Sequence, residues 1–334
     1  MMNEYKVTIA VPIYGVEAYI KRCAISLFEQ SYENIEYVFV NDCTKDNSIQ
    51  VLKQAIEEYP NRSSHVKIIN HDMNRGLGAA RNTAIEHATG EFIMWVDSDD
   101  YVHKDIVAKC CHAQRLKNAD IVSCGCYVLS KKKSKQLHIN SYDTPMDFSL
   151  ALFQRKAHGA VWGRLVRKQL YFDHNIRVKE GVNMGEDFQV MPKLAYFSNS
   201  VSFIDEPLYY YDCTSVSSYT NLYSKSKFLQ DWESFDIVKC FFAQFNHKYD
   251  NEINLAELKV IITDFVFSAR YKNIDYYYYE SRMRLLQINR RYWRLVPVSE
   301  RLLLILSCNR MIMSIYANIA TSVKHFVEKF YYKR

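Results

Sequence analysis

The first hundred residues alternate two hydrophobic periods, and this alternation constrains the fold more than any other feature of the chain. Val7–Ile13, Glu36–Val40, Val66–Asn70 and Phe92–Val96 are short runs, mostly apolar and rich in β-branched or aromatic residues. Between them lie the longer helical patterns Glu17–Ser31, Asn47–Tyr59 and Leu77–Ala88. Such alternation predicts βαβ units wound around a parallel sheet. The strands lack a polar face, as expected of strands covered by helices on both sides. Asp46 and Ser48 supply capping chemistry at the second helix, and Thr89-Gly90 closes the third. Further along, Lys104–Lys117 reads as a helix and Ile121–Val128 as a strand, whereas residues 150–212 mix both types. From about residue 222 the pattern is helical, with a break at Pro297. One main domain over residues 1–220 and a helical region over 221–334 is the expected partition of the 334 residues.

Phe92–Val96 runs directly into Asp97-Ser98-Asp99-Asp100, so an apolar strand ends in three carboxylates. Ligands of open α/β sheets bind outside the carboxyl ends of the strands. Asp97 and Asp99 occupy alternate positions, which in an extended segment places both on one side, within reach of one hard cation and a diphosphate. A divalent ion would also relieve their mutual repulsion. Asp100 is equally suited to capping the next helix. Asn41-Asp42 follows the second strand, and adjacent parallel strands would carry Asp42 to the same edge as Asp97. The first strand ends at Tyr14, an aromatic able to stack on a base.

Asn74-Arg75-Gly76-Leu77-Gly78-Ala79-Ala80-Arg81-Asn82 offers glycines at a helix start but fails as a dinucleotide fingerprint. Arg81 stands where the third small residue belongs, and the segment does not follow the first strand. Close approach of a ligand to its glycines and a tightly started helix are equally good readings.

Charge is unevenly placed. Of the formal net charge of +6, residues 282–334 carry 11 Lys or Arg against two Glu, a local +9 that leaves −3 for the rest. An anionic partner of the tail follows, either a membrane surface or a phosphorylated acceptor. Cys308, Met311, Ile315, Ile319, Val323, Phe326 and Phe330 form one apolar stripe at helical spacing, flanked by cations, which suits a helix lying in an anionic membrane surface or one packed on the main domain. Leu302–Ala320 is too interrupted by polar residues to span a bilayer, and no signal peptide opens the chain. The nine cysteines form neither a disulfide framework nor a zinc pattern, so reduced, cytoplasmic thiols are expected. The tail mixes its cations with apolar residues and shows no reading motif, so nucleic acid is not an expected partner.

Taken in order, Val11-Pro12-Ile13-Tyr14, Asn41-Asp42 with Asp46, Asn74-x-Gly76 through Ala80-Arg81-Asn82, Gly90-Glu91 and Asp97-Ser98-Asp99-Asp100 resemble the family-2 inverting glycosyltransferases of bacterial polysaccharide synthesis. Trp162-Gly163-Arg164, Gly185-Glu186-Asp187 and Pro207-Leu208-Tyr209-Tyr210-Tyr211 extend the resemblance to about residue 220. It implies a GT-A fold, a Rossmann-like, mixed and mostly parallel sheet with flanking helices, on which a sugar passes from a nucleotide diphosphate donor to an acceptor hydroxyl. Under it, Asp187 is the general base and Glu186 contacts donor sugar or acceptor. Pro12, Tyr14, Asp42, Gly78, Arg81, Asp97 and Ser98 bind the nucleotide, with Tyr14 and Asp42 on the base. Asp99, with Asp97, holds Mn2+ or Mg2+ on the diphosphate, and Trp162 walls the acceptor site or packs in the core. UDP is the implied carrier, a saccharide or lipid-linked saccharide the implied acceptor, and the cytoplasmic membrane face the implied location. Asn41 departs from a first Asp common in relatives, and Asp212 stands where a basic residue is common.

Two other readings remain at this point. A nucleotidyltransferase would also place metal-binding carboxylates at strand ends, but Tyr14-Gly15-Val16-Glu17 lacks the basic cradle that such enzymes carry after the first strand. A non-catalytic polyanion or lipid-surface binder would use the tail alone.

Overall fold

The computed structural model describes residues 5–130, 134–214, 224–270, 275–313, 315 and 319. Lys131–Lys133 and the Val323, Phe326 and Phe330 part of the apolar stripe lie outside them. The chain forms two compact units, Met1–Tyr223 with Gln230–Val238, and Ser224–Leu229 with Lys239–Arg334.

In the first unit the expected alternation is realised as β1 (Val7–Ile13), α1 (Ile20–Phe28), β2 (Ile35–Asn41), α2 (Ser48–Glu57), the short α3 (Pro60–Ser63), β3 (Val66–Asn70), α4 (Leu77–His87) and β4 (Phe92–Trp95). These four strands are parallel in the order β3-β2-β1-β4, with Val7 in register with Ile35 on one side and Phe92 on the other. β5 (Tyr101–Val102), α5 (Ile106–Lys117), β6 (Ile121–Leu129), β7 (Lys135–Leu137), α6 (Pro145–Phe153), β8 (Arg164–Arg167), α7 (Gln169–Asp173), α8 (Glu186–Phe197) and β9 (Val201–Asp212) follow. Among the described residues they complete a nine-stranded sheet in the order β3-β2-β1-β4-β8-β6-β9-β5, with β7 on β6. β8 enters antiparallel between β4 and β6, which makes the sheet mixed, whereas β6 and β9 are again parallel. Strand order reverses beside β1, so the crevice between the ends of β1 and β4 is the topological switch point at which such sheets take ligands.

Both faces of the sheet are buried. Ile9, Val11, Tyr37, Phe39 and Met94 pack on one side, and Ala10, Val38, Val40, Ile93 and Trp95 on the other. This division follows the period of two along each strand. Burial also encloses Glu36 of β2, whose carboxylate accepts from the Thr8 and Thr89 hydroxyls at 2.6 Å and lies 3.1 and 3.2 Å from Lys67 and Lys6. Desolvation opposes its ionisation, but these hydrogen bonds prevail and hold the carboxyl below its ordinary range.

Helix α9 (Lys225–Ala243) starts at Ser224, whose hydroxyl accepts from Lys227 N–H. Its residues 230–238 belong to the first unit. The second unit contains α10 (Asp250–Arg270), α11 (Asp275–Gln287), a 3-10 helix (Arg290–Leu295) and α12 (Val298–Leu306), with Leu258, Ile261, Phe265, Tyr278, Leu303 and Leu304 in its interior. Pro297 caps α12, at the break expected there. Among the described residues no helix is long and apolar enough to cross a membrane, and the nine cysteines form no disulfide.

Candidate active site

The carboxyl ends of β1, β2 and β4 set the floor of the site. Because β1 lies between β2 and β4, Asp42 and Asp97 flank a strand instead of following neighbouring ones, about two strand spacings or ~10 Å apart in the sheet. Pro12 is buried where β1 runs beyond its register with β4, so one side of the strand has no registered partner there for an N–H. Tyr14 follows, 51% exposed at the switch point. The loop after it is tied down by Gly15 N–H to Thr44 Oγ1, Val16 N–H to Ser48 Oγ and Glu17 N–H to Asp46 Oδ2, at 2.9 to 3.0 Å.

Asp42 is buried, and both its oxygens are engaged by the following loop. Oδ1 lies 2.8 Å from Arg75 N and 2.7 Å from His71 Nδ1, and Oδ2 accepts from Gly76 N–H at 2.7 Å. The carboxylate therefore shapes the 71–76 segment that leads into α4, a task not visible in the sequence. Gly78, expected at the nucleotide, meets a packing demand of its own. A Cβ there would meet Val178 Cγ1 at 2.6 Å, so its missing side chain makes room for the 178–179 segment of the same unit.

Asp97 to Asp100 is a turn, closed by Asp100 N–H to Asp97 O at 3.0 Å, not the extended segment expected for alternate carboxylates on one side. The turn separates the three acids by environment. Asp100 is wholly buried, accepting from the Tyr209 hydroxyl and from Asp212 N–H at 2.7 Å each, and burial raises its carboxyl far above the ordinary range. Ser98 is buried beside it. Asp99 stays at the rim, pushed up to about 6 by burial and by the charge of Asp97.

Arg81, on the second turn of α4, is 2% exposed and lies 5.3 Å from the Trp95 ring. Its Nη2 is 3.2 Å from Asp97 Oδ1, 3.5 Å from Glu186 Oε1 and 3.1 Å from Asp187 Oδ1. The arginine expected on the nucleotide is thus sunk beneath three carboxylates, where it bridges the end of β4 to the first turn of α8. Gly185 makes that turn possible, since its φ of 75° is the left-handed region in which a side chain would be strained. Asp187 Oδ2 also accepts from Val161 N–H at 3.2 Å. Burial raises the carboxyls of both Glu186 and Asp187; mutual repulsion adds to the rise at Glu186, and Arg81 opposes both.

Trp162 packs in the core, its second expected placement. It is 7% exposed, stacks on Tyr209 and Tyr211 at 4.4 and 5.2 Å between centroids, and also lines a cavity of about 520 Å3. Sequence reasoning missed Arg22, whose Nη2 donates to Asp99 O at 2.8 Å and to Asp212 Oδ2 at 2.7 Å. Asp212, noted as a departure, carries the partner of that cation. Tyr209 was visible only as one member of a tyrosine run, although its hydroxyl joins Asp97 N and Asp100.

The oxygen donors suit a hard divalent cation. Asp99 and Asp97 offer two carboxylates, and the raised Asp99 carboxyl marks a place where added positive charge is favourable. Among the described residues no three His, Cys, Asp or Glu gather into a metal cage. Such a pair fits an ion that takes its other ligands from phosphate and water.

Residues 8–176 match the family model described as Glycosyl transferase family 2. The putative glycosyltransferase EpsH of Bacillus subtilis (strain 168) is 32% identical over 238 residues, which cover 68% of this chain and 66% of EpsH. The uncharacterized glycosyltransferase EpsJ of the same organism is 33% identical over 214 residues, covering 61% of this chain and 60% of EpsJ. The matched stretch therefore spans just under two thirds of these relatives' own lengths. S. aureus TarS 1-349, solved in complex with UDP-GlcNAc, shares the fold with a TM-score of 0.75 at 21% identity, over 96% of this chain and 92% of that one. With half its length matched to the family model and this sheet beneath the acidic turn, the chain belongs to glycosyl transferase family 2 and has the GT-A fold.

Proposed function

We propose that the protein is an inverting glycosyltransferase that moves a sugar from a UDP-sugar donor to a hydroxyl of a glycan or lipid-linked acceptor in bacterial surface polysaccharide synthesis. The observation that carries this reading is the convergence of Asp97, Glu186 and Asp187 on Arg81 beside the switch point of the sheet. It joins a donor edge to a candidate base within one crevice. The UDP-GlcNAc held by TarS supports the choice of nucleotide through a shared fold.

In this reading Tyr14 stacks on the base, Pro12 and Ser98 shape the nucleotide's cradle, and Asp42 acts through the 71–76 loop. Asp97 and Asp99 hold Mn2+ or Mg2+, which when bound neutralises charge gathering on the leaving diphosphate. Asp187 accepts the acceptor hydroxyl's proton as that oxygen attacks the anomeric carbon. The bond to the diphosphate breaks on the opposite face, and configuration inverts. Arg81 keeps Asp187 ionisable despite its burial, and Val161 N–H orients the carboxylate. Glu186, whose carboxyl is raised by burial and by the neighbouring Asp187, contacts the donor sugar or the acceptor.

The catalytic domain in this reading is residues 1–220, and residues 221–334 form an accessory region that rests on an anionic membrane at the cytoplasmic face. Leu302, Ile305, Met311, Ile312, Ile315 and Ile319 are exposed in it, among cations that favour anionic headgroups. Liposome flotation of the intact chain tests that placement, and recovery in the soluble fraction at every lipid composition opposes it.

A panel of nucleotide sugars assayed for Mn2+-dependent nucleotide release tests the main reading. Release from one or a few donors, with UDP compounds preferred, is the expected result. No release from any donor, with or without acceptor extracts, would remove it.

A further inference from the structure

Three arginines, Arg62, Arg81 and Arg164, are buried among the described residues. Arg62 lies 3.0 Å from Glu33 and Arg81 meets three carboxylates, whereas among the described residues Arg164 has no ion pair within 4.0 Å. Its Nε donates to Ser123 Oγ at 3.0 Å and its Nη2 to the His158 carbonyl, which leaves the buried Nη1 without an acceptor. A buried N–H of a charged group is costly to leave unmade. Asp187 is the carboxylate that most favours its charge, but from beyond contact, and that carboxylate is already engaged by Arg81.

Arg164 lines the cavity of about 520 Å3 that Trp162 borders. That volume is ordinary for a ligand pocket, about 300–1,000 Å3. Its wall also carries the exposed Lys156, and the one carboxylate on it, Asp231, is occupied by Arg155 at 2.9 and 3.1 Å. Net positive charge therefore remains, placed next to aromatic rings and one residue beyond Trp162-Gly163. Phe188 lines the cavity and directly follows Asp187, the candidate base, which is itself off the wall.

We infer that this cavity is the acceptor subsite and that it selects an anionic acceptor, whose phosphate or carboxylate offers the Arg164 guanidinium the ion pair it lacks. The inference rests on the transferase reading above and deepens it by naming the acceptor class. A guanidinium satisfies such an oxyanion with a charge-assisted bond, and a neutral sugar hydroxyl offers less to a desolvated cation. Lys156 adds attraction at the mouth, and the aromatic walls take the apolar face of the sugar.

Ligand-observed NMR titration of the full chain with methyl phosphate, methyl β-glucuronide and methyl β-glucoside tests it without requiring turnover. At least one of the two anions should bind ten or more times tighter than the neutral glycoside, and which one does so tells phosphate from carboxylate. Arg164→Met should erase the preference. Should that variant fail to fold, Lys156→Glu decides, because its side chain is exposed: the preference should fall severalfold with an unchanged melting temperature. Equal binding of all three ligands, binding by none, or a preference untouched in the deciding variant overturns the inference. Nucleotide release is assayed separately. Release without anion preference removes only the acceptor class, and anion binding without release from any donor removes only the transferase reading.

Discussion

The guanidinium of Arg81 lies 3.1 Å from the Asp187 carboxylate, so a residue on α4 holds the candidate base on α8. Replacing Arg81 by Met leaves three carboxylates around an apolar stub. Removing one member of a buried ion pair costs about 3–5 kcal/mol. Without the cation, Glu186 and Asp187 resist ionisation further, so the loss should grow as pH rises. Urea denaturation of both proteins at acid and alkaline pH measures it, and a pH-independent difference would contradict the bridging role.

Asp187→Asn should lower the transfer rate by about 10²–10⁴-fold, the usual contribution of a positioned base, while donor affinity is kept. A base must be unprotonated. Because burial raises this carboxyl, wild-type activity should fall with decreasing pH at a value above the ordinary Asp pKa of about 3.9. A pH-rate profile at saturating donor reads that limb, and an acid limb below the ordinary value would place the base elsewhere.

Asp99→Ala should make nucleotide affinity indifferent to Mn2+. In the wild type, protons compete with the cation for a carboxyl raised to about 6, so the Mn2+ dependence should weaken as pH drops through that value. Nucleotide titrations with and without Mn2+ across that range give the answer.

Glu36→Gln is expected to cost about 1.5–3 kcal/mol near neutrality, the scale of hydrogen bonds to a charged group. The folded carboxyl titrates below its ordinary range, so its contribution is complete above the unfolded value of about 4.3 and is lost as pH falls toward the folded one. The stability gap between wild type and variant should therefore close in acid, as thermal unfolding across pH would reveal.

Gly78→Ala separates packing from ligand approach. The added methyl would lie 2.6 Å from Val178 Cγ1, and overpacking of this kind costs about 1–3 kcal/mol. The melting temperature should fall with nucleotide affinity unchanged. A weakened affinity at unchanged stability would return Gly78 to the nucleotide.

What the residues announced by themselves was local. The period of two in Val7–Ile13 and Phe92–Val96 and the helical spacing of Leu77–Ala88 depend only on neighbours along the chain, and the parallel half of the sheet follows from their alternation. The acidic end of β4 was legible for the same reason, as was the pair after Gly185. Strand order was not. It placed β1 between Asp42 and Asp97, bent Asp97–Asp100 into a turn with Tyr209, and brought Arg22 to Asp212 across 190 positions. Whether a charged side chain faces a ligand or a buried partner is likewise a matter of packing. Arg81 and Arg164 look alike in sequence; tertiary structure surrounds one with three carboxylates and leaves the other, among the described residues, without an ion pair. Desolvation and pairing depend on every group within a few ångströms, most of them remote in the chain, so only the folded arrangement decides them.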